Sequence, residues 1–441
     1  MREESDNANC KLREGKKSRS TENMEPAPTV GQVFFPLDEE LALQPGCLTP
    51  RQQEHLAHLA IWMPFEQARK MLKEVLGIEV SEPTVRRGTQ RAGGLYEARQ
   101  TAQSQQTKPI EPAPTPCEKQ VISTDGAYVP LVKGEWAEVR TVAIGEMKEK
   151  VSQQGQREVQ TGQLSYFSRM TDAQTFGELA EVEMRRRGVG QAKAVCAVTD
   201  GADWIQGFVD LHRSDALRIL DFPHAAEHLK QLMEALQQVG VSLPPNAYDR
   251  SLHILKHRGP GLLLCWYDRL PPALKELEAV QKQVQYFRKR LPLMQYPQYQ
   301  QDGWPIGSGM VESANKVVVQ ARLKGAGMHW APAHVNPMLA LRTAVCNDRW
   351  EEAWRDTVAE QRVQRLSKRK LQATTRIQSQ VSSLLLLLLR LCPLTSKPAP
   401  LAPPAPRVSE PAATLPGSSR PSTSHPWKRG PACLPKAVAT I

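Results

Sequence analysis

The chain has 441 residues, 40% of them hydrophobic, which is enough for two or three domains with a large core; 57 Lys and Arg against 46 Asp and Glu leave a net charge of +11. That excess suits a polyanionic partner such as nucleic acid. The eight cysteines include no CxxC pair and argue against a zinc finger or disulfide framework, while neither the polar N-terminus nor the leucine run from Leu384 to Leu389 is apolar and long enough for a signal peptide or a membrane span of about 20 residues. A cytoplasmic protein with no membrane partner is expected.

Residues 1–31 are polar and without periodicity, so disorder is expected there. Residues 32–100 read as helical. LTPRQQEHLAHLAIW has Thr49 as a cap, Pro50 at the first helical position and apolar residues at 56, 59, 60 and 61. A second helix, MPFEQARKMLKEVL, closes at Gly77, and a third starts in VSEPTVRRGTQRAGG, with Ser81 as cap and Arg86, Arg87 and Arg91 behind it. This is the outline of an all-α helix-turn-helix domain with those arginines at DNA; a three-helix bundle with a solvated basic face gives the same pattern. Residues 101–118 are Gln- and Pro-rich and read as a linker.

From 119 to 230 the pattern turns β-rich. VISTDGAYVPLV, WAEVRTVAIGEM and LSYFSRM read as three successive strands, the last two joined by the charged KEKVSQQGQRE. A helix capped by Thr171 follows, then a nearly all-apolar strand, AKAVCAVTDGA, of the kind buried on both faces of a sheet; the short helix ADWIQGFVDLHR and a fifth strand, ALRILDFPH, complete the passage. The order β-β-β-α-β-α-β is that of a ribonuclease-H-like mixed sheet. Residues 231–302 read as a helical insertion, and 303–371 as the second part of the core. Residues 372–441, Pro- and Ser-rich with a leucine run, are expected to form a disordered tail.

Three acids stand out. Asp125 interrupts the first strand and Asp200 ends the fourth, both before glycine, so each alone reads equally as a turn aspartate. Burying a lone carboxylate costs several kcal/mol unless it is paired or ligates a metal. Two such acids on adjacent strands therefore point to a divalent-cation site. Glu312 lies early on a helix in GWPIGSGMVESANKVVVQARLKGAGMHW, opened by Ser308 and stopped by Gly325 and Gly327, with Glu312, Asn315, Lys316 and Val319 expected on one face.

The combination STDGAYVP, VTDGADWI, LDFPHAAEHL and GSGMVESANKVVVQARLKGAGMHW resembles the DDE transposases of bacterial insertion sequences, ISKra type, related in layout to Mutator-like enzymes, over roughly residues 34–365. The resemblance implies that Asp125, Asp200 and Glu312 are the catalytic triad and the metal ligands, holding two Mg²⁺ (or Mn²⁺) ions. It also implies double-stranded DNA as partner, in the form of terminal inverted repeats and target, with a homo-oligomer in the synaptic complex of a nucleoid-associated bacterial protein. The tail has no counterpart in that family.

Asp221 and His224 form the family's DxxH and read as supporting residues. Lys316 suits either a phosphate or an ion pair with Glu312, and Arg322 and Lys324 suit the DNA backbone. Trp304 and Trp330 suit either an unpaired base or packing under the helix. His224 with His228 makes an HxxxH, which allows zinc. A structure-specific nuclease on the same fold and a catalytically inactive DNA-binding repressor are the competing readings.

Overall fold

The computed structural model describes residues 48–105, 117–151 and 157–391, so the expected disorder of 1–31 lies outside the described residues. The chain divides into two units, with the boundary between Leu371 and Gln372. The first is a mixed α/β fold built on a five-stranded mixed sheet with helices on both faces.

Three helices come first: α1 (Pro50–Trp62), α2 (Phe65–Leu76) and α3 (Glu82–Gln105). Thr49 and Gln52 cap α1 reciprocally, side chain to backbone in both directions, with Pro50 at its start. Gly77 ends α2 in the left-handed region, at φ 65°. The third helix overruns the expected linker by five residues, because TAQSQ carries no breaker before Pro109 and the hydroxyls of Thr101 and Ser104 bond back to Glu97 and Thr101 carbonyls.

The sheet is formed by β1 (Lys119–Pro130), β2 (Trp136–Val151), β3 (Arg157–Arg169), β4 (Ala194–Thr199) and β5 (Leu217–Leu220), in the order β3-β2-β1-β4-β5. The first three are antiparallel neighbours; β4 runs parallel to β1, and β5 parallel to β4. Two sequence expectations are corrected. The DG dipeptide neither breaks nor turns β1, because β2 pairs with it through Asp125↔Thr141 and Gly126↔Arg140 to its end. The charged connection between β2 and β3 is mostly strand, with Lys148–Val151 paired to Arg157–Gln160, since a ladder is held by backbone groups and tolerates charged side chains at its ends.

Alternation along β1 and β4 feeds two cores. Ile122, Val195 and Ala197 pack with Phe176, Phe208 and Val209 of α4 (Ala173–Arg186) and α5 (Asp203–Arg213). Val121, Cys196 and Val198 face the other way, onto α6 (Phe222–Gln238) and the helical block 231–302. That block holds α7 (Ala247–Arg258), α8 (Gly261–Asp268), α9 (Pro272–Lys275), α10 (Glu278–Lys289) and α11 (Tyr296–Gln301). The chain then returns as α12 (Gly309–Ala314), a π-helical segment (Asn315–Gln320) and α13 (Ala321–Leu323), and continues as α14 (Pro332–Cys346) and α15 (Trp350–Leu391).

α14 is the central strut. Its Asn336 amide bonds both backbone groups of Met170, and Asn347, just past its end, does the same for Tyr166 of β3, so side-chain amides satisfy the outer edge of the sheet. On its other side Gly93 of α3 lies so close that a Cβ there would be 2.4 Å from the Pro337 carbonyl oxygen. The tail expectation is also corrected: residues 372–391, in the second unit, continue α15, since no glycine or proline falls between Trp350 and Leu391 and the segment is rich in Leu, Gln, Lys and Arg. Residues 392–441 lie outside the described residues.

Gly93→Ala forces backbone against backbone and is expected to destabilise the protein by about 1–3 kcal/mol, read as a lowered urea midpoint; an unchanged midpoint would contradict this packing.

Candidate active site

The parallel strands bring three acids to one edge of the sheet. The register of β1 on β4 ends at Ile122↔Ala197, and three further steps along both strands lead to Asp125 and Asp200. The register of β4 on β5 ends at Thr199↔Leu220, so Asp200 and Asp221 each follow the last paired residue. The Asp221 N–H still donates to the Thr199 carbonyl at 2.7 Å. Carboxyl ends of parallel strands are where open α/β sheets bind ligands. Asp200 and Asp221 stand at that end, and Asp125 lies on β1 beyond its last residue paired with β4, within the strand.

Glu312 joins this row of acids through space. Burial pushes the Asp125 carboxyl above the usual carboxylate range, the Gly126 N–H opposes this, and the charges of Asp200 and Glu312 push it up further. Burial raises Asp221 as well; the Ser308 N–H opposes, and Glu312 adds repulsion. Four acids therefore share one electrostatic neighbourhood. Among the described residues no group of three or more His, Cys, Asp or Glu side chains is gathered tightly enough to hold a metal ion as the side chains stand. The donor set offered by Asp125, Asp200 and Glu312 is nonetheless all carboxylate oxygen, the hard chemistry that suits Mg²⁺ or Mn²⁺. Raised carboxyls held near like charges are the groups that a divalent cation relieves.

What sets the position of Glu312 is Asp221. Its carboxylate is buried and accepts from the Ser308 N–H at 2.6 Å on one oxygen and from the His224 N–H at 3.2 Å on the other, capping α6. Beside it the Phe222 N–H donates to the Ile306 carbonyl. The segment ahead of α12 is thereby sewn to the end of β5. Ser308 was expected to start the helix with its hydroxyl; no such cap forms, and its backbone serves the clamp instead.

Beyond Asp221's anchor at Ser308, α12 rests Val311 and Ala314 on Ala143 of β2, and Asn315 donates its amide to Asp125 at 3.0 Å. The helix then widens into the π segment, which shifts its faces. Asn315 and Val319 are buried while Glu312 and Lys316 are exposed, so the four do not share one face as an α-helical period predicts. Arg342 of α14 accounts for the widened turns: its guanidinium donates to the carbonyls of Val317 and Val318 in the π segment and to that of Ile61 at the end of α1.

A second group of side chains approaches Asp200 from α10. Tyr286 stacks on His228 at 3.5 Å between ring centroids, and the Arg290 guanidinium lies 4.0 Å over the Tyr286 ring. The Tyr286 hydroxyl donates to the Asp200 carbonyl, and Arg290 to that of Gly201 at 2.9 Å. Gly201 sits at φ 79°, and a Cβ there would meet the Arg290 Nε at 2.6 Å, so only glycine admits this contact. The helical block thus grips the turn that carries Asp200.

Several expected site residues are placed elsewhere. Arg322 is 2% exposed, donates to the Ala60 carbonyl and lies over the rings of Phe65 and Trp330; burial and the neighbouring Arg342 push its pKa down to about 10, and it is a core residue remote from any DNA backbone. Trp304 and Trp330 are buried, Trp330 with its indole N–H on the Leu323 carbonyl, which removes both from base stacking. Lys316 makes no ion pair with Glu312 among the described residues, and its exposure keeps it available to a phosphate. Lys324 is exposed and lies over Trp136. The His224 ring stands 5.3 Å from that of His228, whose Nδ1 is taken by Gln283, so the HxxxH pair is not arranged around a zinc ion.

Arg86, Arg87 and Arg91 are exposed on α3, with Arg87 and Arg91 lining a groove of about 840 Å³ against Trp354 and Val358 of α15, away from the acids. Sequence reasoning gave no role to Asn315, Tyr286, Arg290 or Arg342. Only Arg342 carried a signal, as a lone charge inside the apolar run NPMLALRTAV. No protein-family model and no curated protein matches the chain.

Because the folded pKa of Asp125 is raised, the folded protein holds its proton to higher pH than the unfolded chain does. Stability contributed at low pH is therefore lost as pH rises through the folded value. Asp125→Asn is expected to melt a few degrees higher than wild type in EDTA at neutral pH, with the gap closing near and below pH 4. Scanning calorimetry at the two pH values reads this, and a lower melting temperature for the variant at neutral pH contradicts it.

Proposed function

We propose that this chain is a DDE-type transposase similar to the ISKra-type enzymes of bacterial insertion sequences, cleaving DNA at element ends and joining the 3′-hydroxyl to target DNA. The observation that carries the reading is that Asp200, just past the end of β4, and Asp125, on β1 beyond its last residue paired with β4, stand beside the helix of Glu312, whose Asn315 donates to Asp125 and whose approach is clamped to Asp221 from over a hundred positions away in sequence. Strand order β3-β2-β1-β4-β5, with β1, β4 and β5 parallel, supports a ribonuclease-H-like core interrupted by the helical block. The capped α1 and the Gly77 turn into α3, with Arg86, Arg87 and Arg91 exposed, support a helix-turn-helix contact to duplex DNA.

In this reading Asp125, Asp200 and Glu312 would hold two Mg²⁺ or Mn²⁺ ions, whose chemistry is to acidify a bound water and to stabilise charge on a phosphate in transfer. Water adds to the scissile phosphorus as the bond to the 3′-oxygen breaks, leaving a 3′-hydroxyl and a 5′-phosphate. That hydroxyl then attacks a target phosphodiester, and the displaced target 3′-oxygen leaves with a proton. The protein's own part is positional. Asn315 orients Asp125, the Asp221 clamp fixes the start of the Glu312 helix, and Arg290 with Tyr286 fixes the turn of Asp200. Lys316 and the net charge of +11 draw the polyanionic substrate in. A homo-oligomer of the chain bridging two ends, in a bacterial cytoplasm, completes the proposal.

In Mg²⁺ with duplex carrying the element's end, wild type is expected to give cleaved 3′-hydroxyl ends and joined products. Asp125→Asn, Asp200→Asn and Glu312→Gln should each lose about 10²–10³-fold or more in rate while shifting the same duplex in a gel. Wild-type rates from Asp125→Asn would end the proposal. Cleavage without joining would replace it with a nuclease, and binding without cleavage with a repressor.

A further inference from the structure

Two large aromatic side chains outside the acidic row, Tyr128 and Trp136, stand more than half in water. Tyr128 is 57% exposed and Trp136 56% exposed, on β1 and β2. The register Tyr128↔Glu138 and Pro130↔Trp136 makes them diagonal neighbours on one face of the ladder, about 7–8 Å apart between backbones. Left in water, such rings give up the stabilisation that burial would bring.

The ground beneath them is rigid. The turn between the strands is closed by the Leu131 N–H on the Glu135 carbonyl, and Val132 N–H donates to Trp330, which also bridges to Leu131. Lys133 stands exposed at the tip of that turn, and the Lys324 ammonium lies 5.6 Å over the Trp136 ring. Of the acids beside the rings, Glu138 is engaged by Arg140 at 2.6 Å, while Glu135 stands exposed in the turn next to Trp136.

We propose that Tyr128 and Trp136 form a stacking platform for the unpaired bases of a DNA single strand, with Lys133 and Lys324 at the adjoining phosphates. Every base has a π-face, so stacking accepts any sequence, and phosphates supply the charge that the two lysines complement. A protein partner is the weaker fit, since the apolar area is two rings and Val132 rimmed by lysines rather than a broad apolar surface. The proposal rests on the DNA-processing reading above, yet the platform is separable from the chemistry. Strand alternation puts Asp125 on the opposite face of β1 from Tyr128, so substitutions at the platform leave the acids in place.

The test is fluorescence anisotropy of the full chain with a labelled oligothymidylate, and with a duplex of equal length, in EDTA so that no cleavage occurs. Trp136→Ala and Tyr128→Ala are each expected to weaken single-strand binding about tenfold and duplex binding by less than about threefold. Trp136→Phe, which keeps a ring, should stay within about threefold of wild type, and Lys324→Ala should flatten the salt dependence. Unchanged single-strand affinity in Trp136→Ala with a native melting curve overturns the proposal. So does an equal loss on single strand and duplex, or a change in sedimentation without a change in oligonucleotide binding, which would make the face a contact between copies. Because nothing is cleaved in EDTA, the outcome is independent of whether Asp125→Asn proves inactive in Mg²⁺.

Discussion

A single buried carboxylate holds the candidate site together. Asp221 follows the last residue of β5, and its two oxygens accept from the backbone of Ser308 and of His224. A hydrogen bond to a charged group is worth more than a neutral one, and a buried charge left without its donors costs several kcal/mol, so the chain on both sides is strongly constrained. One side is the first turn of α6; the other is the approach to α12 and Glu312. Apart from this clamp and the Phe222 N–H on the Ile306 carbonyl beside it, the Glu312 helix is held to the sheet by the Asn315 amide on Asp125 and by apolar contacts, which fix distance better than register.

The same logic recurs in the two buried arginines. Arg322 and Arg342 reach the Ala60 and Ile61 carbonyls at the end of α1, where a helix leaves acceptors without intrahelical partners, and Arg342 also serves the carbonyls of the π segment. Burial, and after it the neighbouring Arg342, holds the Arg322 guanidinium below its ordinary pKa. Carbonyl dipoles and aromatic faces offset that penalty, with Phe65 and Trp330 around Arg322 and Trp62 beneath Arg342. The amino-terminal helices are in this way fastened to the helix that carries Glu312, and the basic face of α3 has a fixed relation to the acidic row within one unit.

The acidic row itself works against folding. The carboxyls of Asp125 and Asp221, raised by burial first and then by neighbouring acids, lower the stability of the protein at neutral pH. The fold holds them there with glycine at the Asp200 turn, an amide from Asn315, and a tyrosine and an arginine from the helical block. Acids kept close at a cost are what the proposed function above builds on.

The sequence by itself determined the five strands and their order along the chain, because apolar alternation is a local pattern written in consecutive residues. It also determined the caps of α1 and α2, through Thr49, Pro50 and Gly77. Tertiary structure alone decided that DG in β1 is strand and not turn, since only pairing with β2 holds it extended. It decided that Arg322, Trp304 and Trp330 are core while Tyr128 and Trp136 face water, because amphipathic side chains are buried or exposed according to neighbours far away in sequence. It decided the π segment too, where an i,i+4 reading of Glu312, Asn315, Lys316 and Val319 failed once Arg342 claimed two carbonyls of the widened turn. Local periodicity cannot report a hydrogen bond that arrives from another helix.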